Sequence, residues 1–485
     1  MAKTKKQWGV IGGGIAGLAA AYELQQLVPE NDEVILLEAS ERLGGVLKTE
    51  SRGDFLVEHS ADMFSTDPAA ALQLCRELGL EDELLTTIAT ENRAFVATEN
   101  GIQPIPAQFS LMLPGDVDAV LNSKILSDAG KERFLEEANV PARHSDQDES
   151  LQSFATRRFG QEVFAKLIQP LASGIYTADP QQLSMNATMS RFIKLERKHG
   201  SLIAAGKAAR QATKEREGHT SGARYGLFRA PEQGTERLVS ALIDRMKRSD
   251  KASVSMQTGA RVSRLVHSKD RFRIECHAQT PIDCDGIILA TPSFASCQLL
   301  KGLQPNSAAG NSSDWDSFCQ NLASIEFASS AIVLMSIQRN QLDRPFSGYG
   351  IIFPDSLGRQ AIAISFANNK FSGRAPSDSI LARVFIGGAL NSQLVELDDQ
   401  ALTNIAHTEL SFALGLTGQA NWTHVVRWRE SMPQYTLGHL ERVAEIDRQV
   451  TQLSGLELAG KSYHGVGIPA CIASGRSAAQ RLLQS

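Results

Sequence analysis

The glycine pattern near the start of the chain constrains the fold more than any other feature. Residues 7–11 form a short apolar run that predicts a buried strand, and residues 18–24 follow as a run of strong helix formers. Between them lie Gly12, Gly14 and Gly17, at the spacing of a dinucleotide-binding turn. The first glycine permits a tight turn, the second lets the backbone approach a pyrophosphate, and the third lets helix and strand pack closely. This order predicts a helix whose N-terminus binds a pyrophosphate.

A second apolar run ends at a carboxylate that suits the same ligand. Residues 34–37 predict the next buried strand, and Glu38 follows where a carboxylate accepts hydrogen bonds from ribose hydroxyls. An acidic residue there favours FAD or NAD over a dinucleotide with a phosphorylated ribose. A nicotinamide enzyme usually starts another helix here, whereas Arg42 and the Gly44-Gly45 pair can wrap a longer cofactor. We therefore predict FAD; a glycine-rich turn without a ligand is the alternative.

Composition is that of an ordinary soluble protein with more than one lobe. The 485 residues, 42% of them hydrophobic and 21% charged, can bury a large core in two or three lobes. A formal net charge of −5 gives no sign of a nucleic-acid-binding protein. The cysteines form no C-x-x-C pair, so neither a zinc site nor a disulfide framework is indicated, and no metal is expected. Without a secretory signal or an apolar run of roughly 18 residues, we expect a cytoplasmic protein.

The middle of the chain changes from helical to strand patterns. Apolar residues at helical spacing over 163–171 predict a helix, with Pro170 and Gly174 marking where it bends or ends. Residues 205–222 are rich in Ala, Lys, Arg, Gly and Ser, and predict a surface connection between lobes. Several strand-like runs within 325–395 predict a mainly antiparallel sheet in a second lobe.

The last part of the chain predicts a return to the cofactor. Residues 456–460 predict a strand, and residues 472–479 predict a helix. A glycine-flanked turn separates them. We expect this turn to lie near the flavin.

Five stretches of the chain carry a resemblance to one flavoprotein family. They are the Gly12–Gly17 loop with Glu38; residues 157–160 (R-R-F-G) through 169–176; residues 374–376 with 385–388; residues 433–435 with 438–439; and residues 465–469. Other amine-oxidase relatives lack R-R-F-G followed by S-G-I-Y. The chain resembles the oxygen-dependent protoporphyrinogen oxidase and coproporphyrinogen III oxidase family of haem biosynthesis, nearly from end to end.

The resemblance implies an α/β fold of the amine-oxidase-like flavoprotein type. An FAD-binding Rossmann-like domain is combined with a mixed α+β substrate domain and a helical subdomain. We expect residues 1–85, 206–305 and 426–485 to build the FAD-binding domain, residues 86–205 to build the helical subdomain and a pocket wall, and residues 306–425 to build the substrate-binding sheet.

The resemblance also implies cofactor contacts, residue by residue. Val262 matches a valine that contacts the adenine side through its backbone, and Trp428 matches an aromatic residue beside the cofactor. Ser60 and Ala61 stand where the family usually has glycine and proline. The full implied set of FAD contacts is Gly12, Gly13, Gly14, Ile15, Ala16, Gly17, Glu38, Ala39, Arg42, Gly45, Ser60, Ala61, Asp62, Met63, Val262, Trp428, Val466, Gly467 and Ile468.

The implied substrate contacts combine one cation with apolar surfaces. Arg93 matches the arginine that pairs with a propionate, and Asn92 lies beside it. A guanidinium suits this role because it is always charged and grips a carboxylate with two hydrogen bonds. Phe385 matches an aromatic residue that packs on a pyrrole ring, and Ile352 matches an aliphatic residue that sandwiches the macrocycle. Gly174 matches a glycine whose carbonyl faces the macrocycle.

Two further features bear on the choice of substrate. Ser365 falls where some relatives carry leucine, which makes the pocket more polar or roomier. A substrate with four propionates needs more cations than Arg93, and the candidates are Arg158, Lys194 and Arg197. The sequence leaves open the choice between two-propionate protoporphyrinogen IX and four-propionate coproporphyrinogen III.

The activity implied by the family is a six-electron oxidation of a porphyrinogen. Protoporphyrinogen IX gives protoporphyrin IX, or coproporphyrinogen III gives coproporphyrin III, in three rounds of hydride transfer to FAD. Oxygen re-oxidises the flavin after each round and releases peroxide. No residue is a certain catalytic group, although His439 and His464 are candidate proton carriers.

The same residues are compatible with other functions and with several partners. The rival functions are another amine-oxidase-like flavin oxidase, a carotene desaturase, or a non-catalytic flavin- or porphyrin-binding scaffold. Residues 461–467 hold no cysteine of the kind that attaches flavin covalently in amine oxidases. The partners expected are the porphyrinogen and molecular oxygen, without nucleic acid. Peripheral contact with the inner face of a membrane, a homodimer and hand-over to a ferrochelatase are compatible with the family.

Overall fold

The structure, a computed structural model, describes residues 5–88, 94–216, 227–268, 270–277, 280–303 and 312–484. Its strands are β1 (Gln7–Ile11), β2 (Glu33–Leu37), β3 (Thr49–Arg52), β4 (Phe55–Glu58), β5 (Phe64–Ser65), β6 (Leu84–Thr86), β7 (Ala94–Thr98), β8 (Gly101–Pro104), β9 (Phe109–Ser110), β10 (Leu113–Pro114), β11 (Phe228–Pro231), β12 (Ser253–Gln257), β13 (Val262–Ser268), β14 (Arg271–Cys276), β15 (Ile282–Cys284), β16 (Gly286–Leu289), β17 (Phe327–Gln338), β18 (Gly350–Ile352), β19 (Ala361–Phe366), β20 (Ser379–Gly387), β21 (Trp422–Pro433) and β22 (Leu456–Leu458).

Helices join these strands. They are α1 (Ile15–Leu27), α2 (Ala70–Glu77), α3 (Val117–Leu121), α4 (Asp128–Leu135), α5 (Leu151–Phe159), α6 (Gln161–Val163), α7 (Gln169–Tyr176), α8 (Met185–His199), α9 (Leu202–Arg216), α10 (Glu236–Lys247), α11 (Ser293–Leu300), α12 (Ser312–Ala323), α13 (Ala367–Lys370), α14 (Asp399–Leu414), α15 (His439–Val450) and α16 (Ile468–Leu482). Within the described ranges, no helix is both long enough and apolar enough to cross a membrane.

A five-stranded parallel sheet carries the N-terminal glycine loop. Its order is β12-β2-β1-β16-β22, and its neighbours pair in parallel. Strands β1 and β2 are almost entirely buried, as expected for parallel strands covered on both faces. Helices α1 and α16 pack so closely that a Cβ on Gly475 would lie 2.0 Å from the carbonyl oxygen of Ala16. The predicted α/β arrangement, with a strand–glycine loop–helix start, is confirmed.

A second, seven-stranded sheet is mainly antiparallel, as predicted. Its order is β21-β17-β20-β19-β18-β7-β8. Among its described strands, only β18 and β7 pair in parallel. Helix α14 packs on one face, where Leu402, Ala406 and Leu410 share a core with Val333 and Val384. The sheet also takes β7, β8 and most of β21 from outside residues 306–425. The domain boundaries themselves stay a prediction.

Three local expectations about helices are corrected by the structure. Residues 205–222 were expected to be a surface connection, but α9 continues to Arg216, because Ala, Lys and Arg are strong helix formers; residues 217–222 lie outside the described ranges. Gly174 does not end its helix, since α7 runs to Tyr176 and a left-handed Thr177 follows it. The C-terminal helix begins at Ile468, before the predicted start, and Pro469 fits its first turn.

Candidate active site

The loop between β1 and α1 has the geometry of a phosphate cradle. Gly12 has a φ of +110°, and a Cβ there would lie 2.7 Å from the Ala290 carbonyl oxygen. A Cβ on Gly17 would lie 1.8 Å from the Gly12 carbonyl oxygen, so helix and loop touch at this point. Around Gly14, by contrast, a Cβ would meet nothing within 4 Å. The N-terminus of α1 therefore faces open space, which fits a pyrophosphate.

Glu38 stands at the carboxyl end of β2, beside this loop. Its carboxylate accepts hydrogen bonds from the Gly13 N–H at 2.6 Å and from the Ser40 N–H at 2.8 Å. The Glu38 N–H donates to the Gln257 carbonyl oxygen at 2.9 Å. This bond continues the β2–β12 pairing, and the Ala260 N–H donates to the Glu38 carbonyl oxygen at 2.8 Å, two residues before Val262 begins β13. Glu38, the predicted ribose carboxylate, thus contacts the glycine loop directly.

Arg42 holds the second glycine turn together. The Gly44 N–H donates to the Gly13 carbonyl oxygen at 2.8 Å, and a Cβ on Gly45 would lie 3.1 Å from the Gly14 Cα. The guanidinium of Arg42 folds back on its own turn. Its acceptors are the carbonyl oxygens of Gly45 (2.6 Å) and Leu47, and the Glu236 carboxylate (3.2 Å). Arg42 therefore shapes the turn that lies against the phosphate cradle.

Side chains from distant segments donate hydrogen bonds to three successive carbonyl groups, those of His59, Ser60 and Ala61, at the start of the predicted flavin loop (residues 60–63). This is the segment where Ser60 and Ala61 depart from the family pattern. Ser60 also anchors itself, since its hydroxyl donates to the Val46 carbonyl oxygen at 2.6 Å. The bonds to the loop are Trp428 Nε1 to His59 O at 2.7 Å, Arg383 Nη2 to Ser60 O, and Thr235 Oγ1 to Ala61 O at 3.2 Å.

Asp62 joins this loop to the second sheet through a buried ion cluster. Lys370 Nζ lies 2.5 Å and Arg383 Nη1 lies 2.9 Å from Asp62 Oδ2, and all three side chains are buried. Burial by itself raises the pKa of Asp62, but the two cations outweigh it and hold that pKa below its usual range. Burial lowers the pKa of Lys370, and Asp62 opposes this shift. We call Asp62, Lys370 and Arg383 the flavin-loop cluster.

Three of the predicted substrate residues, Ile352, Phe385 and Gly174, lie where α7 packs on the second sheet. Ile352 is directly opposite Ala363, and Ala363 is directly opposite Phe385, so these side chains lie in one row on one face of the second sheet. A Cβ on Gly174 would lie 3.9 Å from Ile352 Cγ2. Helix α7 and this row therefore face each other. Arg93 and Asn92 lie outside the described residues.

Ser365 occupies the next row of the same face. It is directly opposite Arg383, whose guanidinium lies over the Phe385 ring at 5.3 Å. The Ser365 hydroxyl oxygen is buried and has no hydrogen-bond partner among the described residues. A buried hydroxyl without a partner can accept or donate a hydrogen bond to a ligand on this face.

The C-terminal loop reaches the same end of the parallel sheet. Tyr435 links its two sides, since its hydroxyl donates to the Lys461 carbonyl oxygen and accepts from the Gly465 N–H, both at 2.7 Å. Val466 and Gly467 then lead into α16. Because β1 and β22 belong to one parallel sheet, the helices after them start at the same edge. Residues 466–468 therefore lie at the same edge of the parallel sheet as the glycine loop.

The histidines singled out from the sequence have structural contacts. His439 is fully buried, its Nε2 lies 2.9 Å from the Tyr463 carbonyl oxygen, and its ring stacks on Tyr435 at 3.9 Å. Burial lowers the pKa of His439 to about 4. His464 is exposed and lies 3.4 Å from Asp447.

The extra cations expected for a four-propionate substrate lie elsewhere. Arg158, one of the candidates, is fully buried and pairs with Glu137 and Glu196 rather than with a pocket surface. Arg197 pairs with Asp146 on the surface, and Lys194 is exposed. The cations that do reach this face, Lys370 and Arg383, were not predicted. The available signal was an arginine inside the apolar run of residues 380–386.

Comparison with known proteins agrees with this geometry. The family model described as Flavin containing amine oxidoreductase matches residues 15–483. Coproporphyrinogen III oxidase of Bacillus subtilis (strain 168) is 30% identical over 482 residues, which cover 99% of this chain and 98% of the relative. Protoporphyrinogen oxidase 2, chloroplastic/mitochondrial, of Arabidopsis thaliana is 26% identical and covers 99% of this chain and 94% of the relative.

A solved structure supports the same relationship. A protein from Exiguobacterium sp. 255-15 superposes with a TM-score of 0.85 at 27% identity, over 99% of this chain and 100% of that one. The resemblance predicted from the sequence is confirmed. The open cradle at Gly14 and the carboxylate of Glu38 fit a dinucleotide cofactor. The chain belongs to the flavin containing amine oxidoreductase family, as an oxidoreductase whose cofactor is FAD.

Proposed function

We propose that this protein oxidises a porphyrinogen to the porphyrin in haem biosynthesis, with molecular oxygen as the electron acceptor and coproporphyrinogen III as the preferred substrate. The observation that carries the proposal is the full-length relationship to porphyrinogen oxidases. The bacterial relatives named coproporphyrinogen III oxidase include one that is 30% identical over 99% of this chain. Protoporphyrinogen IX is the alternative substrate, in line with the Arabidopsis thaliana relative.

The proposed cofactor site joins six segments of the chain. The glycine loop with the start of α1 holds the pyrophosphate, Glu38 with Ala39 binds the ribose, and Val262 meets the adenine side. Gly45 lies against the glycine loop and Arg42 keeps its turn in shape. The isoalloxazine lies against residues 60–63, Trp428 and residues 466–468.

The proposed substrate site is the face of the second sheet that carries Ile352 and Phe385. These residues form an apolar wall, and α7 borders it where Gly174 comes within contact distance of Ile352. Ser365 offers the only buried hydroxyl without a partner among the described residues of β18–β20. Arg93 and Asn92 are proposed to hold a propionate at one end.

Bound FAD accepts a hydride from the electron-rich methylene bridge of a porphyrinogen. The residues of the chain position the two reactants. The row of Ile352, Ala363 and Phe385 fixes the macrocycle, and the flavin-loop cluster connects that row to the loop under the cofactor. Because Arg383 contacts Asp62, the Ser60 carbonyl oxygen and the Phe385 ring, it ties the two binding surfaces to each other.

Aerobic turnover of the FAD-loaded protein tests the proposal. Coproporphyrinogen III and protoporphyrinogen IX are supplied separately, porphyrin fluorescence is followed, and peroxide is recorded beside a control without enzyme. We expect three peroxides for each porphyrin and a higher kcat/KM for coproporphyrinogen III. A preference for protoporphyrinogen IX overturns the choice of substrate. A flavin-loaded protein that does not exceed the control with either substrate overturns the oxidase function.

A pair of matched variants tests the substrate wall. Phe385→Ala removes an aromatic ring under Arg383, and we expect a higher KM with retained flavin. Phe412→Ala is the control, because Phe412 lies in α14 on the other side of the sheet, under Arg359 at 4.2 Å. Equal changes in KM for both variants contradict the proposed wall.

Peripheral contact with a membrane, formation of a homodimer and hand-over of the product to a ferrochelatase stay predictions.

A further inference from the structure

Three side chains of metal-ligating type meet at the edge strand of the second sheet. Glu50 lies in β3, His59 directly follows β4, and His424 lies in β21. His59 Nε2 is 3.0 Å from Glu50 Oε2, and the two imidazole centroids are 5.4 Å apart. One ligand atom from each residue lies within 4.8 Å of the other two. No sequence motif indicates this cluster, because His59 lies 9 positions after Glu50 and His424 lies 365 positions after His59.

We propose that Glu50, His59 and His424 bind one divalent transition-metal ion of the Zn²⁺ type. Two imidazoles and one carboxylate, with a fourth position open to solvent, are an established ligand set for such ions. Ligand atoms bonded to a tetrahedral zinc ion at about 2.0–2.1 Å lie roughly 3.3 Å from each other. Glu50 Oε2 and His59 Nε2, which are 3.0 Å apart, are already close to this spacing. A shift of about 1–1.5 Å would bring the His424 ligand atom to the same spacing.

The cluster combines a fixed ligand with two accessible ones. The side chain of His59 is 6% exposed, whereas that of Glu50 is 32% exposed and His424 is half-buried. His59 thus provides a fixed point, while solvent reaches the other two. The ion can enter from that side.

Contacts around the cluster hold its three strands in place. The rings of Phe55 and Trp422 meet edge to face with centroids 5.3 Å apart, which fastens the β3–β4 hairpin to β21. Trp428 Nε1 donates to the His59 carbonyl oxygen at 2.7 Å. The ligands therefore come from paired strands rather than from free loops, which favours a defined binding geometry. His59 also adjoins the predicted flavin loop, so an ion here contacts the segment that leads to the cofactor.

Two neighbouring cations set the expected affinity. Arg52 Nη2 lies 3.1 Å from Glu50 Oε1 and so holds the carboxylate oxygen that does not face His59. Lys48 is close enough to act electrostatically on both imidazoles. Since like charges repel, both residues weaken the binding of a divalent ion. We therefore expect micromolar affinity, and we expect it to increase when the charge of Arg52 is removed.

Zinc titration of the FAD-loaded protein, in competition with a chromophoric chelator, tests the proposal. We expect one Zn²⁺ per chain for the native protein and at least about tenfold weaker binding for His424→Ala. Glu50→Gln provides a second variant that keeps the side-chain size. Arg52→Gln should bind severalfold more tightly. The matched control is His277→Ala, which removes an exposed imidazole outside the cluster. Melting temperature and flavin content are recorded for every variant.

The outcomes separate a built site from surface binding. Loss of affinity in His424→Ala and Glu50→Gln, a gain in Arg52→Gln and no change in His277→Ala support the site. Less than one equivalent in the native protein overturns it, as does native affinity in both ligand variants. An equal loss in His277→Ala also overturns it, because that result shows adventitious binding to surface histidines. None of these readouts depends on the proposed porphyrinogen oxidation.

Discussion

Two buried ion clusters of this protein have opposite charge balance and different locations. In the helical region, Arg158 lies between Glu137 and Glu196, and all three side chains are at most 1% exposed. At the cofactor loop, the single carboxylate of Asp62 lies between Lys370 and Arg383. Among the buried side chains, the first cluster has one cation and two carboxylates, and the half-buried Arg157 also lies 2.7 Å from Glu196. The second cluster has two cations and one carboxylate.

The difference separates a structural role from a role at the site. The guanidinium of Arg158 also donates to the carbonyl oxygens of Val140 and Gly200, so it joins three segments of one helical region. The flavin-loop cluster instead joins two regions, the cofactor loop and the substrate sheet. Its surplus positive charge faces the surface where we propose that a flavin and a carboxylated substrate meet. A buried arginine is thus not by itself evidence of a substrate anchor, because the groups that pair with it determine its role.

The largest expected effect is that of Arg158→Met. It leaves Glu137 buried without its cation, whereas Glu196 keeps Arg157 at 2.7 Å. We expect the free energy of unfolding to fall by about 4 kcal/mol. Urea denaturation measures the loss, and KM of the remaining folded enzyme should be unchanged. Adding Glu137→Gln should restore part of the stability. A raised KM without loss of stability would contradict the structural role.

Asp62→Asn should have the next largest effect. The variant leaves Lys370 and Arg383 buried without a counter-charge, and we expect a loss of about 3 kcal/mol together with lower FAD content. Denaturation and the flavin absorbance of the purified protein measure the two effects. Adding Lys370→Met should recover stability, because one cation is removed with its partner. Normal flavin content in Asp62→Asn would separate the cluster from the cofactor loop.

His439 provides a neutral group of similar burial for comparison. The pKa of His439 is lowered to about 4, so below the ordinary value of about 6.5 the unfolded chain binds a proton that the folded chain does not. The contribution of His439 to stability is therefore complete above pH 6.5 and is lost as the pH falls toward 4. We expect a decrease of roughly 2–3 kcal/mol over that window. Denaturation at several pH values measures it, and a His439→Gln variant with the same slope would contradict this cause.

The smallest expected effect on stability is that of Lys370→Met. The change leaves Asp62 paired with Arg383, so no buried charge lacks a partner, and methionine keeps most of the volume. We expect a change of about 1 kcal/mol or less. If the surplus positive charge acts on the substrate, KM should rise nevertheless. A loss as large as that of Asp62→Asn would show that both cations are needed for folding.

The cofactor half of the site could be predicted from the sequence because its signals are local. Gly12, Gly14, Gly17 and Glu38 lie within one β–α–β unit, where spacing and chemistry constrain each other. The pairing of charges could not be predicted in this way. Arg158 was a candidate pocket cation, yet its partner Glu137 lies 21 positions away and Glu196 lies 38 positions away. The partners of buried charges depend on tertiary packing.

The second sheet shows the same limit. Its antiparallel strands were predicted from apolar runs, but the row of Ile352, Ala363 and Phe385 depends on strand register. Lys370 lies in the short helix α13 and gives no periodic signal. The meeting of Glu50 and His59 with His424 depends on packing of the β3–β4 hairpin against β21. Each contact joins distant segments, so residue type alone does not reveal it.

The order of strands in the parallel sheet has a consequence for synthesis of the protein. Strand β1 emerges early, but its neighbour β16 and the next strand, β22, follow more than 270 and 440 residues later. Helix α16, which packs against α1 at Gly475, follows β22. A nascent chain therefore carries an incomplete sheet until Leu458 has left the ribosome, and α1 lacks its partner helix until α16 follows. Shortening α16 uncovers α1, most of whose residues are buried.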